Sequence, residues 1–281
     1  MGRVNVAQRW TKIERSARGE ESPLVQGFAR GFAVLRAFRP GENYLSNAQI
    51  ALRTGIPRPT VSRLTQTLTA LGFLAYAPSL GEYSLGGGLA SLCHSLLSGM
   101  PYRLVALPSL QELADYSKLP VSLAMRDQLD MVYIETARHA GTKPPRFDLG
   151  SRIPIGSTAM GRAYLYGLPA NERRTLFESI RLACGESRWK SISTSLKLSF
   201  SMLDRKGFCL SVGEWRKDVV GVGAPVVTNQ GTVLAINCGG PPSEVGVDWL
   251  EHEIGPRLAQ AASRIAARGG LASESGASLE G

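Results

Sequence analysis

The chain has 281 residues, 43% of them hydrophobic and 20% charged, and a formal net charge of +9. These are globular proportions, so wholesale disorder, collagen-like repeats and a disulfide-stapled miniprotein are excluded, and the length suits two domains. The longest apolar run, Val219 to Val227, is broken by glycines and a proline and falls far short of the ~20 residues of a spanning helix. The first 22 residues are charged throughout and build no signal-peptide core, so a cytoplasmic protein without a membrane partner is expected.

The charge is unevenly placed. Residues 1–85 hold 11 Lys+Arg against 5 Asp+Glu, whereas residues 86–281 hold 21 against 18. No acidic residue occurs from Asn43 to Gly81, a stretch that contains Arg53, Arg58 and Arg63. A negatively charged partner follows, nucleic acid before any membrane surface.

In chain order, Phe28, Phe32 and Leu35 recur at helical spacing and predict a first helix over 27–38 with those side chains on its apolar face, stopped by Pro40-Gly41. Ser46-Asn47-Ala48-Gln49 is a capping box opening a short second helix, which ends at Thr54-Gly55-Ile56. A third helix starts at Arg58-Pro59 and puts Val61, Leu64, Leu68 and Leu71 on one stripe. Pro59, Ser62, Arg63 and Gln66 point away from it, a face without carboxylates. That is what a recognition helix needs, because phosphates repel Asp and Glu while Arg and Gln bond base edges in the major groove. The expected DNA contacts are Ser46, Arg58, Thr60, Ser62, Arg63 and Gln66. Phe73–Tyr76 and Tyr83–Leu85 alternate as strands around a turn-rich tip and complete a winged helix-turn-helix.

Residues 24–86 resemble the DNA-binding domain of the IclR family of bacterial transcription regulators. The resemblance rests on the first helix, Thr54-Gly55-Ile56-Pro57, Thr60-Val61-Ser62-Arg63-Leu64, Leu68-Thr69-Ala70-Leu71-Gly72-Phe73 and the wing ending in Tyr83-Ser84-Leu85-Gly86. The wing tip departs from winged helices that grip phosphate: it carries Glu82 and neither lysine nor arginine.

Gly86-Gly87-Gly88 reads as a flexible joint before a linker helix with Leu89, Leu92 and Leu96 on one stripe. The resemblance implies that this helix pairs with its copy, giving a dimer or a tetramer on a pseudo-palindromic operator. Beyond Pro101 the pattern predicts a helix, a hairpin of strands at 121–125 and 131–134, a short strand at Phe147-Asp148-Leu149 and helices over 158–168, 171–180 and 193–205. Strands near 208–210, 224–228 and 233–237 follow, then a closing helix over 249–267. The fold class is therefore α+β, with a mostly antiparallel sheet in the second domain.

The resemblance extends here through Leu149-Gly150 to Pro154, Thr158-Ala159-Met160-Gly161-Arg162-Ala163, Gly213-Glu214, Gly223-Ala224-Pro225-Val226 and Gly239-Gly240-Pro241, where IclR-type effector domains of GAF-like fold have their hallmark segments. Arg162 stands where the family usually has lysine. The helix starting at Thr158 presents the backbone amides of Ala159 and Met160 as an anion site. The resemblance implies that these amides hold the carboxylate of a small organic acid, with Glu214, Asn237 and Cys238 near it and Met125, Ile153 and Ala224 as apolar walls. The implied division is a basic tail (1–23), a winged helix-turn-helix (24–86), a linker helix (87–100), an effector-binding and oligomerisation domain (101–268) and a disordered Gly/Ser/Ala-rich tail (269–281).

Catalysis and cofactors have no support. The four cysteines (Cys93, Cys184, Cys209, Cys238) form no CxxC pair, so no metal or redox site is expected. Gly221-Val222-Gly223-Ala224-Pro225-Val226 begins like a dinucleotide fingerprint but ends in valine, no Gly-Lys-Ser/Thr follows the triple glycine, and no G-x-S-x-G elbow occurs. An architectural DNA-binding protein without a ligand remains the alternative; it gives no reason for a second α+β module.

Overall fold

A computed structural model describes residues 25–39, 41–142 and 147–269. The tails expected over 1–23 and 269–281 lie outside these residues apart from Gly269, and so does the Pro40 stop. The chain divides into two compact units at Gly99/Met100.

The first unit holds α1 (Gln26–Leu35), α2 (Asn47–Thr54), α3 (Arg58–Ala70), a hairpin of β1 (Leu74–Ala77) and β2 (Glu82–Leu85), and α4 (Gly87–Ser98). The capping box forms: the Gln49 amide donates to Ser46 Oγ, and the Ser46 amide to Gln49 Oε1 at 2.7 Å. Gly55 closes α2 with φ +70°, a left-handed turn that a side chain would strain. Leu45 exchanges both backbone hydrogen bonds with Tyr83, tying the entry of α2 to the wing. Val34, Ala37, Leu45, Ile50, Ile56, Val61, Leu68 and Leu74 form the core.

Three expectations change here. Phe28 and Phe32 are 72% and 61% exposed, and Val34 and Ala37 are buried in their place. The helix is apolar on more than one side, and its smaller side fits against α3. Leu71 lies just past the end of α3 and is exposed; Thr65 is buried on the stripe instead, donating within the helix and to Asn47 Oδ1. The triple glycine is a fitted joint. A Cβ on Gly86 would stand 2.3 Å from the Gly72 carbonyl oxygen, and one on Gly88 2.9 Å from it. The Gly88 amide bonds that same oxygen, so glycine is needed here for close backbone approach.

The second unit runs α5 (Pro101–Ser117), β3 (Val121–Asp127), β4 (Asp130–Ala137), β5 (Arg152–Pro154), α6 (Ala159–Gly167), α7 (Ala170–Cys184), α8 (Glu186–Lys206), β6 (Cys209–Val212), β7 (Val220–Val227), β8 (Val233–Gly240) and α9 (Gly255–Gly269). Its six strands form one antiparallel sheet in the order β5-β4-β3-β8-β7-β6. Helices α5 and α9 cover one face, and α6, backed by α8, covers the other. β6 pairs only with Val220–Gly223, so among the described residues no strand pairs with the outer edge of β7 over 224–227; Pro225 sits there, opposite Ala235 on β8.

The strand expected at Phe147-Asp148-Leu149 is a loop. Asp148 and Ser151 close it through two hydrogen bonds, Gly150 turns it with φ +80°, and β5 begins only at Arg152. The helices expected at 171–180 and 193–205 are longer, Ala170–Cys184 and Glu186–Lys206. The closing helix is entered through a π segment, Leu250–Ile254, immediately before Gly255-Pro256. Proline has no amide for an α-helical bond to residue 252, so the backbone spacing shifts there.

Candidate functional site

In the first unit, Arg58, Arg63 and Gln66 are exposed on α3, while Thr60 and Ser62 are half-buried. Ser62 is held from behind: Asn47 Nδ2 donates to its hydroxyl at 3.1 Å, and Asn47 Oδ1 accepts from Thr65, which fixes the angle between α2 and α3. Ser46 Oγ is engaged by the capping box. Arg53 is turned inward. It donates to the Ala37 carbonyl and forms a bidentate pair with Glu42, whose carboxyl this hydrogen bonding holds below the usual carboxylate range. The positive charge on the exposed face of α3 therefore comes from Arg58 and Arg63. On the wing, Tyr76 and Tyr83 pack with ring centroids 4.9 Å apart.

The second unit contains a cavity of about 580 Å³. Its floor includes the start of α6. Thr158 caps that helix, accepting from the Gly161 amide at 3.2 Å and donating to the Pro154 carbonyl at 2.7 Å. The amides of Ala159 and Met160 stay among those a helix leaves without an internal acceptor, at its positive end. Two glycines seat this terminus. A Cβ on Gly223 would lie 2.5 Å from the Ala159 carbonyl carbon, and one on Gly161 would lie 2.1 Å from the Ile155 oxygen. Phe147 and Trp215, with centroids 5.1 Å apart, line the cavity with Tyr133 and Ile153. Lys118 and Arg138 add positive charge to the lining, and Asp218 and Glu244 oppose it.

Arg162, one turn into α6, is almost wholly buried and makes a bidentate pair with Glu214, one bond at 2.8 Å. It also donates to Ser199 Oγ at 3.3 Å. Burial pushes the Glu214 carboxyl up, but hydrogen bonds and charge from Arg162 outweigh this and hold it below its usual range. The pair ties α6 to the β6–β7 loop, which carries Trp215.

Family comparison settles what kind of chain carries these features. A model of the IclR helix-turn-helix domain matches residues 28–78, and one of the bacterial transcriptional regulator IclR C-terminal domain matches 94–267. The chain belongs to the IclR family. This IclR-family chain is a helix-turn-helix transcriptional regulator, and the family is one of regulators, not enzymes. It is similar to the Pca regulon regulatory protein of Pseudomonas putida, 32% identical over 246 residues, covering 86% of this chain and 82% of that one. It is also similar to the p-hydroxybenzoate hydroxylase transcriptional activator of Acinetobacter baylyi, 25% identical over 247 residues (86% and 90%). A crystal structure of an IclR family transcriptional regulator from Brucella abortus superposes with a TM-score of 0.76 at 40% identity, covering 94% of this chain and 98% of that one.

Among the effector residues expected from the regulator's sequence, Ile153, Thr158, Ala159, Met160 and Asn237 line the cavity. Met125, Ala224, Cys238 and Glu214 do not. Cys238 Sγ lies 3.9 Å from Ser117 Oγ on α5, on the opposite sheet face, and Ala224 shares that face through the Val222–Cys238 and Ala224–Ile236 pairs. Ala124, not Met125, belongs to the core on the cavity side, sharing a face with Ser122 by plain alternation; the irregularity in the β3–β4 pairing skips Ile134 on β4. Glu214 lines a smaller recess with Arg162. Sequence reading missed Tyr133, Phe147, Trp215, Lys118 and Arg138. Tyr133 and Phe147 sit in segments that read only as strand, and their convergence depends on the sheet order. Among the described residues, no helix is long and apolar enough to cross a membrane.

Proposed function

We propose that this regulator is switched by an aromatic carboxylic acid bound in the second unit. The cavity carries this reading: it combines the α6 N-terminus for a carboxylate with an aromatic wall of Phe147, Trp215 and Tyr133 for a ring. The similar Acinetobacter baylyi activator is named for an enzyme that acts on p-hydroxybenzoate, which supports the same class. The first unit, whose last helix is α4, then serves as the operator-binding head and the second as the sensor. The protein works in the cytoplasm, where a regulator meets the chromosome. Leu92 and Leu96 on α4 are exposed and support pairing with a second copy, to a dimer or a tetramer on a pseudo-palindromic site.

A thermal-shift panel of aliphatic, aromatic and neutral compounds tests the sensor. A ligand at 100 times its dissociation constant adds about 2.7 kcal/mol, so a benzoate-type acid should raise the melting temperature measurably. Stabilisation by neutral or cationic compounds with none from any acid would remove the carboxylate reading.

On the DNA side, Arg63 and Gln66 are the proposed base readers, and Arg58 at the start of α3 a phosphate contact, with Thr60 beside them. Arg63→Ala should cost about 1–3 kcal/mol of operator affinity and relax preference at one position, whereas Arg58→Ala should lower the salt slope by about 1 and leave preference intact. Binding isotherms over a salt series separate the two. Unchanged affinity and preference for the Arg63 variant would reject this orientation of α3.

A further inference from the structure

We infer that Asn47 is a positioning residue for operator reading: it grips α3 behind the two side chains proposed to meet base edges and sets the rotation of that helix about its own axis. The inference rests on the orientation of α3 given above and adds to it the residue that fixes that orientation.

Asn47 opens α2 directly after the capping Ser46 and is half-buried. Its amide crosses to α3 at two points. Nδ2 donates to Ser62 Oγ and Oδ1 accepts from Thr65 Oγ1, each at 3.1 Å. Turning the amide over exchanges the two roles and keeps both bonds, because a hydroxyl can donate or accept. Among the described residues no other side-chain hydrogen bond joins α2 to α3. What else holds the two helices is the apolar core around Ile50, Val61 and Leu68. Such packing is non-directional, so it resists separation of the helices far more than a small rotation of one of them. The amide fork supplies the missing direction.

The gripped residues stand immediately before the proposed readers: Ser62 precedes Arg63, and Thr65 precedes Gln66. One residue is about 100° around a helix, so a fork that holds 62 and 65 against α2 also fixes the direction in which 63 and 66 leave the helix. Arg63 and Gln66 are exposed, whereas Thr65 is 0% exposed and cannot touch DNA itself. Hydrogen bonds to base edges weaken steeply as their angle departs from linear, while the attraction of a cationic face for phosphate carries no sequence information. Loss of the fork should therefore cost sequence preference and leave the salt-dependent, non-specific part of binding in place.

The test uses the full chain and two duplexes, one selected by the wild type from a random-sequence library and a scrambled one of the same composition. Asn47→Ala should lower the ratio of the two affinities tenfold or more, with the salt slope unchanged. Thr65→Val keeps the buried volume and should lower the ratio at least threefold; it serves if the alanine variant does not fold. Asn47→Asp, whose carboxylate can accept from both hydroxyls, should keep the ratio within threefold of the wild type while weakening both duplexes alike, since its charge repels phosphate. The positioning role is overturned, with the orientation of α3 left standing, by a ratio that persists in Asn47→Ala and Thr65→Val while Arg63→Ala lowers it. An equal loss on both duplexes in Asn47→Ala, or a loss of ratio in Asn47→Asp as large as in Asn47→Ala, overturns it likewise. A ratio unchanged in Arg63→Ala overturns the orientation of α3 itself, and the inference with it.

Discussion

Replacing Gly161 with alanine should destabilise the second unit by about 3 kcal/mol, the upper end for overpacking, because among the described glycines its added Cβ makes the closest approach. The added Cβ would stand 2.1 Å from the Ile155 carbonyl oxygen and 2.4 Å from its Cα, both backbone atoms that no rotamer change can move aside. Relief requires the first turn of α6 to lift off the Ile155 segment, which also breaks the bond from the Gly161 amide to Thr158 Oγ1 and displaces the amides of Ala159 and Met160. Urea unfolding followed by tryptophan fluorescence reads mainly this unit, since three of the four tryptophans, Trp189, Trp215 and Trp249, belong to it and Trp10 does not. A loss under about 1 kcal/mol would mean that the close approach of α6 is not what glycine provides here.

Glu214→Ala should cost about 2–3 kcal/mol. Removing one partner of a fully buried ion pair usually costs about 3–5 kcal/mol because the other charge is left uncompensated, and the figure is discounted because Glu214 keeps about a third of its side-chain surface in contact with water. Arg162 cannot escape to solvent and would retain only neutral partners, Ser199 Oγ and the carbonyls of Gly156 and Leu210. The pair also has a pH signature. The folded state holds the Glu214 carboxyl below its ordinary value of 4.5, so its contribution is present above that value and is lost as the pH falls through the lowered one. Glu214→Gln should therefore lie below wild type in stability at neutral pH, with the gap closing under acid conditions. A gap that stays constant down the acid limb would show that the carboxylate charge is not what matters.

Much of the first unit was legible because its signals are local. The capping box at Ser46, the left-handed glycine at 55 and the proline opening α3 each act within a few residues, and each produces the expected boundary. Periodicity also located α1 but not the face it buries: Phe28 and Val34 both lie on apolar sides, and only packing against α3 selects between them. In the second unit the errors follow strand parity. A displacement of one residue turns a side chain to the opposite face, and this separates Met125 from Ala124 and Ala224 from Gly223. The bulge in the β3–β4 pairing leaves out Ile134 on β4 and turns Tyr133 to the cavity side; no glycine or proline marks it, so nothing in the local sequence announces it. Glu214 carried a readable charge, but its partner Arg162 is 52 residues away, and the two meet only because β6 runs beside the start of α6.

Pro225 bears on how the sheet ends. Along residues 224–227 no described strand pairs with the outer edge of β7, and an unpaired edge of apolar strand, here Ala224, Val226 and Val227 around the proline, is the kind that recruits a foreign strand. At Pro225 the row of amides that such a strand would need is interrupted, at a position where its own ladder with β8 loses nothing. Among the described residues the ladder thereby ends on that side without a further strand. Copies of this regulator that come together must do so through side-chain surfaces rather than by continuing the ladder across this edge, which keeps assembly and aggregation on separate routes.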